Sequence, residues 1–254
     1  EMVDQLDYDK MMAFYKDRFA NAGDFTFFFV GNLDIEAMKP LIAQYLGSLP
    51  AIDRKESWRD NNIEYRKGNI LNEYAKEQET PMATIAMMYT GKCKYTLKNN
   101  ILMSMLSQAF DMVFTEEIRE KEGGTYGVSC AGQIEKLPRE EFIMQVVYQT
   151  DPAKKDHLNG IIDKLVAQMA AEGPSEENLA KIKEYMLKTF KDDQKENGYW
   201  LNNLVEYYSN GIDNTKDYEA IVSGITVKDV QEFANSLFKQ GNKATIIMTV
   251  PEEN

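Results

Sequence analysis

Two side chains in this sequence stand where a peptide carbonyl could be held. In the segment IREKEGGTYGVSCAG (118–132), Arg119 closes a strongly apolar helical stretch and Tyr126 follows seven residues later, at the start of a strand-like run. Gly123 and Gly124 form the turn between them. A guanidinium and a phenol aimed from rigid elements at one corner are both hydrogen-bond donors. Together they could bind a carbonyl oxygen and stabilise the oxyanion that develops when water attacks it. A purely structural reading stays open beside this one. Arg119 also suits the negative end of its helix, and Tyr126 could simply pack on the sheet.

Other chemistries find little support. The chain has one histidine, His157, and two cysteines, Cys93 and Cys130. Catalytic zinc sites generally combine two or three histidines with a carboxylate, so the chain by itself is expected to hold no metal. It has no H-x-x-E-H pair, no phosphate-binding G-x-x-x-x-G-K-[ST] loop and no G-x-G-x-x-G after a strand. A Ser-His-Asp or Cys-His arrangement would have to use His157, which sits near the start of an amphipathic helix and reads as solvated surface. The carboxylate pairs Glu116/Glu117 and Glu140/Glu141 are ordinary for solvated ends of helices and strands. Two cysteines exclude a disulfide framework and leave a single bridge or two free thiols open.

Net charge is −12, from 41 acidic and 29 basic residues, which argues against a nucleic-acid partner. No apolar run approaches the roughly eighteen residues of a membrane-spanning helix. The sequence starts Glu1-Met2-Val3-Asp4-Gln5, with neither a basic nor an apolar leader region, and reads as a piece of a longer protein. Its compartment is left open; a bacterial periplasm or cell envelope is a guess.

The elements that must position Arg119 and Tyr126 follow from periodicity. Thr96 can cap a long helix through Glu120, apolar on several sides (Leu97, Ile101, Leu102, Met105, Leu106, Ala109, Phe110, Val113) and therefore buried. Residues 82–89, 125–133 and 140–150 read as strands, with a closing strand at 244–250. Asp151-Pro152 opens an amphipathic helix that Gly173-Pro174 breaks, and Ser175 caps the next. Further helical segments run near 200–208 and 226–238.

Upstream, a helix capped by Asp7 or Asp9, a buried strand at 25–30 and a helix at 34–46 form a separate unit. Residues 51–67 are charged and aperiodic, as in a linker, and 69–75 read as a connecting strand. At an offset of 219 (233 − 14), FYKDRFANAGDFTFFFV lies over FANSLFKQGNKATIIMT, with Phe14 on Phe233, Phe19 on Phe238 and Thr26 on Thr245. The expected domains are therefore 1–50, the end of one copy; 51–80, a linker; and 81–254, a complete copy.

The run TEEIREKEGGTYGV (115–128) resembles the arginine–tyrosine segment of the pitrilysin/insulinase family of zinc metallopeptidases, which includes the mitochondrial-processing-peptidase-like enzymes. FTFFFVGNLD (25–34), YLGSLP (45–50) and GITVKDVQEFANSLF (224–238) resemble other stretches of that family, in the same order. The resemblance implies an α+β fold, a mainly antiparallel sheet flanked by helices. It implies that Arg119 and Tyr126 bind and polarise the scissile carbonyl of a peptide substrate, with Gly123 and Gly124 contributing to substrate binding. Zinc would be held by an N-terminal half of the same polypeptide or by a partner subunit, so this chain alone would be inactive. Gly-Gly-Thr stands where relatives often carry a bulkier residue. A non-catalytic scaffold and a peptide-binding module of the same fold remain as alternatives.

Overall fold

The structure is a computed structural model and describes residues 3–52, 54–123, 125 and 127–251. Its core begins at the strand β2 (Ala83–Lys92), where Ala83, Ile85, Met87 and Tyr89 alternate inward. Period-two burial of this kind is what a sheet with one covered face requires. β4 (Glu141–Thr150) lies antiparallel to β2 and turns Phe142, Met144, Val146 and Tyr148 to the same face, with Ile85 opposite Tyr148. β3 (Val128–Glu135) pairs antiparallel with β4 at one edge. The last strand, β5 (Lys243–Thr249), runs antiparallel along the other side of β2 and parallel to β1 (Asn69–Ala75). The sheet order is β1-β5-β2-β4-β3, so the fold is α+β with a mixed, mainly antiparallel sheet.

Helices cover the inward face. In chain order α1 (Tyr8–Arg18) and α2 (Ile35–Tyr45) precede the sheet, and α3 (Leu97–Phe114) follows β2. After β4 come α4 (Lys155–Glu172), α5 (Glu176–Asp193), α6 (Asn197–Asn210), α7 (Tyr218–Gly224) and α8 (Val227–Phe238). The expected caps act as such: Asp7, Thr96 and Ser175 each accept the backbone N–H three residues on. α3 buries eight apolar side chains, and α8 packs against α3, α4 and β2.

The expectation of a buried strand at 25–30 is corrected. These residues form no helix and pair with no strand among the described residues, and Phe25, Phe27 and Phe29 are exposed. A strand forms only where a neighbour accepts from its N–H groups and donates to its C=O groups, and no strand of this sheet pairs with the segment. Asn21 is the sole buried residue before Ala83 among those described. Its side-chain amide donates to Arg54 O at 2.8 Å and to Asp24, and its oxygen accepts from Ile52 N at 3.0 Å, tying the unit to the start of the connecting segment.

Candidate functional site: the corner after α3

α3 carries the chain into the candidate site on a fully apolar support. Phe110 and Phe114 stack at 5.2 Å between centroids and have no exposed surface. Beyond Phe114 the helix continues to Lys121, as expected, but widens into a π-helical turn, Thr115–Lys121. Such turns are rare and cluster at functional sites. Within it Ile118 is fully buried and anchors the turn, while its neighbour Arg119 is exposed.

Arg119 makes no hydrogen bond or ion pair among the described residues, whereas Lys121 is held by Glu117 at 2.6 Å and Glu116 at 3.1 Å. Glu122 leads into the turn, and its Oε2 lies 3.0 Å from His157 Nε2 at the N-terminal end of α4. His157 is exposed, as its position suggested, but sequence reasoning missed this partner, which no spacing signal announces. Gly123 has φ +56, a left-handed conformation that favours glycine, and open space where a Cβ would stand. Gly124 and Tyr126 lie outside the described residues. Thr125 and Gly127 are linked by two hydrogen bonds of 3.1 and 3.2 Å just before β3.

One further residue sets this corner. Asp111, in the last turn of α3, accepts the backbone N–H of Cys130 in β3 at 2.8 Å. Burial raises its carboxyl above the ordinary value, and the Cys130 N–H opposes that shift. A lone acid in an apolar helix was the signal available for it in the sequence.

Beside Gly123 opens a cleft of about 410 Å³, bordered by Met82, Thr125, Gln149 and Asp151. Arg119 is not part of its lining. A larger cleft, about 510 Å³, lies at the far end of the β3–β4 hairpin, where Arg139 bonds Asp60 at 2.6 Å. It is remote from the corner in sequence and shares no residue with it.

The described residues gather no set of zinc donors. No group of three or more His, Cys, Asp or Glu side chains among the described residues could hold a metal ion. Both cysteines are free thiols. Burial, with Glu140 nearby, pushes Cys93 up to about 11, and burial, with Asp111 nearby, pushes Cys130 higher still. No helix is long and apolar enough to cross a membrane among the described residues.

A model of the peptidase M16 inactive domain matches residues 5–186. The chain belongs to this family. It is 23% identical over 190 residues to the probable zinc protease PqqL of Escherichia coli K12, covering 74% of this chain and 20% of that protein. It is 21% identical over 221 residues to an Arabidopsis thaliana zinc protease PQQL-like, covering 82% and 23%. The fold superposes on the periplasmic protease PqqL from Escherichia coli with a TM-score of 0.73 at 18% identity, over 87% of this chain and 25% of that one. A protease from Helicobacter pylori gives 0.67 at 17% identity, over 87% and 54%. The chain thus spans about a fifth of the length of the curated relatives it matches.

Proposed function

We propose that this M16-family domain forms the substrate-facing, zinc-free wall of a zinc metallopeptidase, and that Arg119 with Tyr126 binds the scissile carbonyl of a peptide. Zinc would belong to an N-terminal half of the same polypeptide or to a partner subunit. Gly123 and Gly124, having no side chains, would let the substrate backbone approach. One observation carries the reading. In a chain with twelve more acidic than basic residues, Arg119 stands exposed and makes no ion pair among the described residues, on a turn anchored by buried Ile118. A guanidinium so placed keeps its donors available for an external oxygen, where they are worth most against developing negative charge.

The test uses the full polypeptide that carries this chain and a short peptide substrate. Tyr126→Phe and Arg119→Ala should each lower kcat by about 10²–10³, with less effect on KM, because the lost bond strengthens in the transition state. Arg119→Lys keeps charge but loses the planar fork, and should also be damaging. Zinc content should not change. Arg119→Ala should alter stability by no more than about 0.5 kcal/mol, since it removes no internal contact. Wild-type turnover by both Arg119→Ala and Tyr126→Phe would remove the assignment. It would favour a non-catalytic scaffold, a reading that the family's description as an inactive domain already supports.

A further inference from the structure

A third cleft, of about 360 Å³, opens among α3, α5, α6 and α7 and has no part in the proposed function. Its size falls within the range of roughly 300–1,000 Å³ usual for small-molecule sites. Helical spacing builds its walls. On α5, Tyr185, Thr189 and Asp193 recur every four residues and line one side. On α6, Tyr199, Asn202 and Asn203 stand three and four residues apart and line another. Ser104 and Gln108, polar positions in the largely apolar α3, add to the lining. So does Asn214, in the loop between α6 and α7. Asp213 fixes that loop by accepting from Thr215 N at 2.9 Å and from Thr215 Oγ1 at 2.6 Å.

The chemistry of this lining departs from that of the chain. Charged residues make up 28% of the sequence, yet Asp193 is the one charged side chain lining the cleft among the described residues. The other polar groups are amides and hydroxyls, and the apolar surface is mostly aromatic. The polar groups are also available. The side chains of Asn202, Asn214 and Asp193 make no hydrogen bond or ion pair among the described residues, and Gln108 reaches only Ser104, at 3.3 and 3.4 Å. The rings, by contrast, are fixed in advance. Phe190 is buried and stacks on Tyr218 at 4.3 Å, and Tyr199 meets Phe190 edge-on at 6.1 Å. Tyr185 stands outside that stack and is 60% exposed.

Ligand classes can be weighed against these features. An anion would meet Asp193 and no cation in the lining. A nucleobase sits best between two ring faces, and here Phe190 and Tyr218 close their faces on each other. An extended peptide needs backbone partners, whereas these walls are helices whose backbone groups are already paired. A neutral saccharide suits every feature. Each hydroxyl both donates and accepts, which matches amides that offer a donor beside an acceptor and a carboxylate that offers two acceptors. Its apolar C–H face needs only one exposed ring, because the negative face of an aromatic attracts C–H edges.

We infer that this cleft binds a neutral saccharide, with its C–H face on Tyr185 and its hydroxyls on Asn202, Asn214 and Asp193. The site shares no residue with the corner that carries Arg119 and Tyr126, so neither assignment depends on the other.

Isothermal titration calorimetry on the full polypeptide that carries this chain tests the assignment. The probes are maltotriose, cellotriose and triacetylchitotriose, with an end-blocked alanine tripeptide as the peptide control. At least one saccharide should bind with a Kd on the order of millimolar or below. Tyr185→Ala should weaken that binding about tenfold, while Tyr185→Phe, which keeps the ring, should stay within about threefold. Asn202→Ala should weaken it by about fivefold, through the loss of a donor and an acceptor. Both alanine variants change exposed helix positions and should keep the wild-type circular-dichroism melt. Absence of saturable binding by all three saccharides overturns the inference. So does binding that both alanine variants leave unchanged, because the sugar then sits elsewhere. Binding of the tripeptide alone also overturns it and makes the cleft a peptide subsite.

Discussion

Asp111→Ala and Asp111→Asn should have opposite consequences. Cys130 is 4% exposed, and its N–H donates to the Asp111 carboxylate at 2.8 Å. Alanine removes that acceptor and strands a donor in the core, which costs about 2 kcal/mol. Asparagine keeps an acceptor oxygen of similar reach and removes a charge that burial disfavours, so at neutral pH it should be within about 1 kcal/mol of wild type, or more stable. The pH dependence has a definite sign. Because the folded-state pKa is raised, the folded protein binds the proton more tightly than the unfolded chain. The cost of the buried charge is fully present above the raised value and is relieved as pH falls through it toward the ordinary 3.8. Wild type should therefore gain on Asp111→Asn as pH is lowered. Urea unfolding of the three proteins at several pH values between about 4 and 8 reads this directly, since other groups cancel in the difference. An asparagine variant as unstable as the alanine variant, or a difference flat in pH, would refute the argument.

The capping box of α8 makes a further prediction. Hydrogen bonds from Thr226 and then Lys98 hold Asp229 at about 2, so its contribution is complete above the ordinary 3.8 and is lost as pH falls toward about 2. Thr226→Ala should cost about 1 kcal/mol in urea unfolding, and Asp229→Asn should flatten the acid limb of a circular-dichroism pH titration. Gly132→Ala would drive a methyl into Met103 Sδ and bring it within 3.0 Å of Ser107 Oγ. Met103 is 1% exposed and must shift to make room, so the expected loss is about 1–3 kcal/mol in the same assay.

Local signals were legible where short-range chemistry decides them. Asp7, Thr96 and Ser175 act as caps because a side-chain oxygen three residues before a free N–H needs no tertiary partner. The connecting strand read at 69–75 is β1, Asn69–Ala75. The segment at 25–30 shows the limit. Its apolar, β-prone composition is that of a strand, but strandhood depends on a second backbone, and composition cannot say whether one is near. α7 escaped for the opposite reason: Tyr218–Gly224 is too short to display a helical period. Of the corner residues, Arg119 lies on the π-helical turn and Gly123 two residues past its end. Asp111 and the His157–Glu122 contact did not stand out, because both are long-range pairs, 19 and 35 residues apart.

The corner also depends on residues far beyond the stretch that defines the family. The matched region ends at 186, inside α5. Yet β1 pairs with β5 and with no other strand, and β5 lies between β1 and β2. Without residues 243–249 the sheet would lose β1 and leave the outer side of β2 unpaired. α8 matters equally, since it lies against α3, and Phe238 at its end meets Phe110 edge-on at 5.9 Å. Phe110 in turn stacks on Phe114, the last residue before the π-helical turn that presents Arg119. Packed aromatic contacts of this kind are stiff, because dense interiors relax little when one member is removed. The turn that carries Arg119 is thus backed by packed rings, Phe114, Phe110 and the half-buried Phe238, a series that starts in the last thirty residues of the sequence, and under the proposed function its exposed end carries the guanidinium that would meet a ligand.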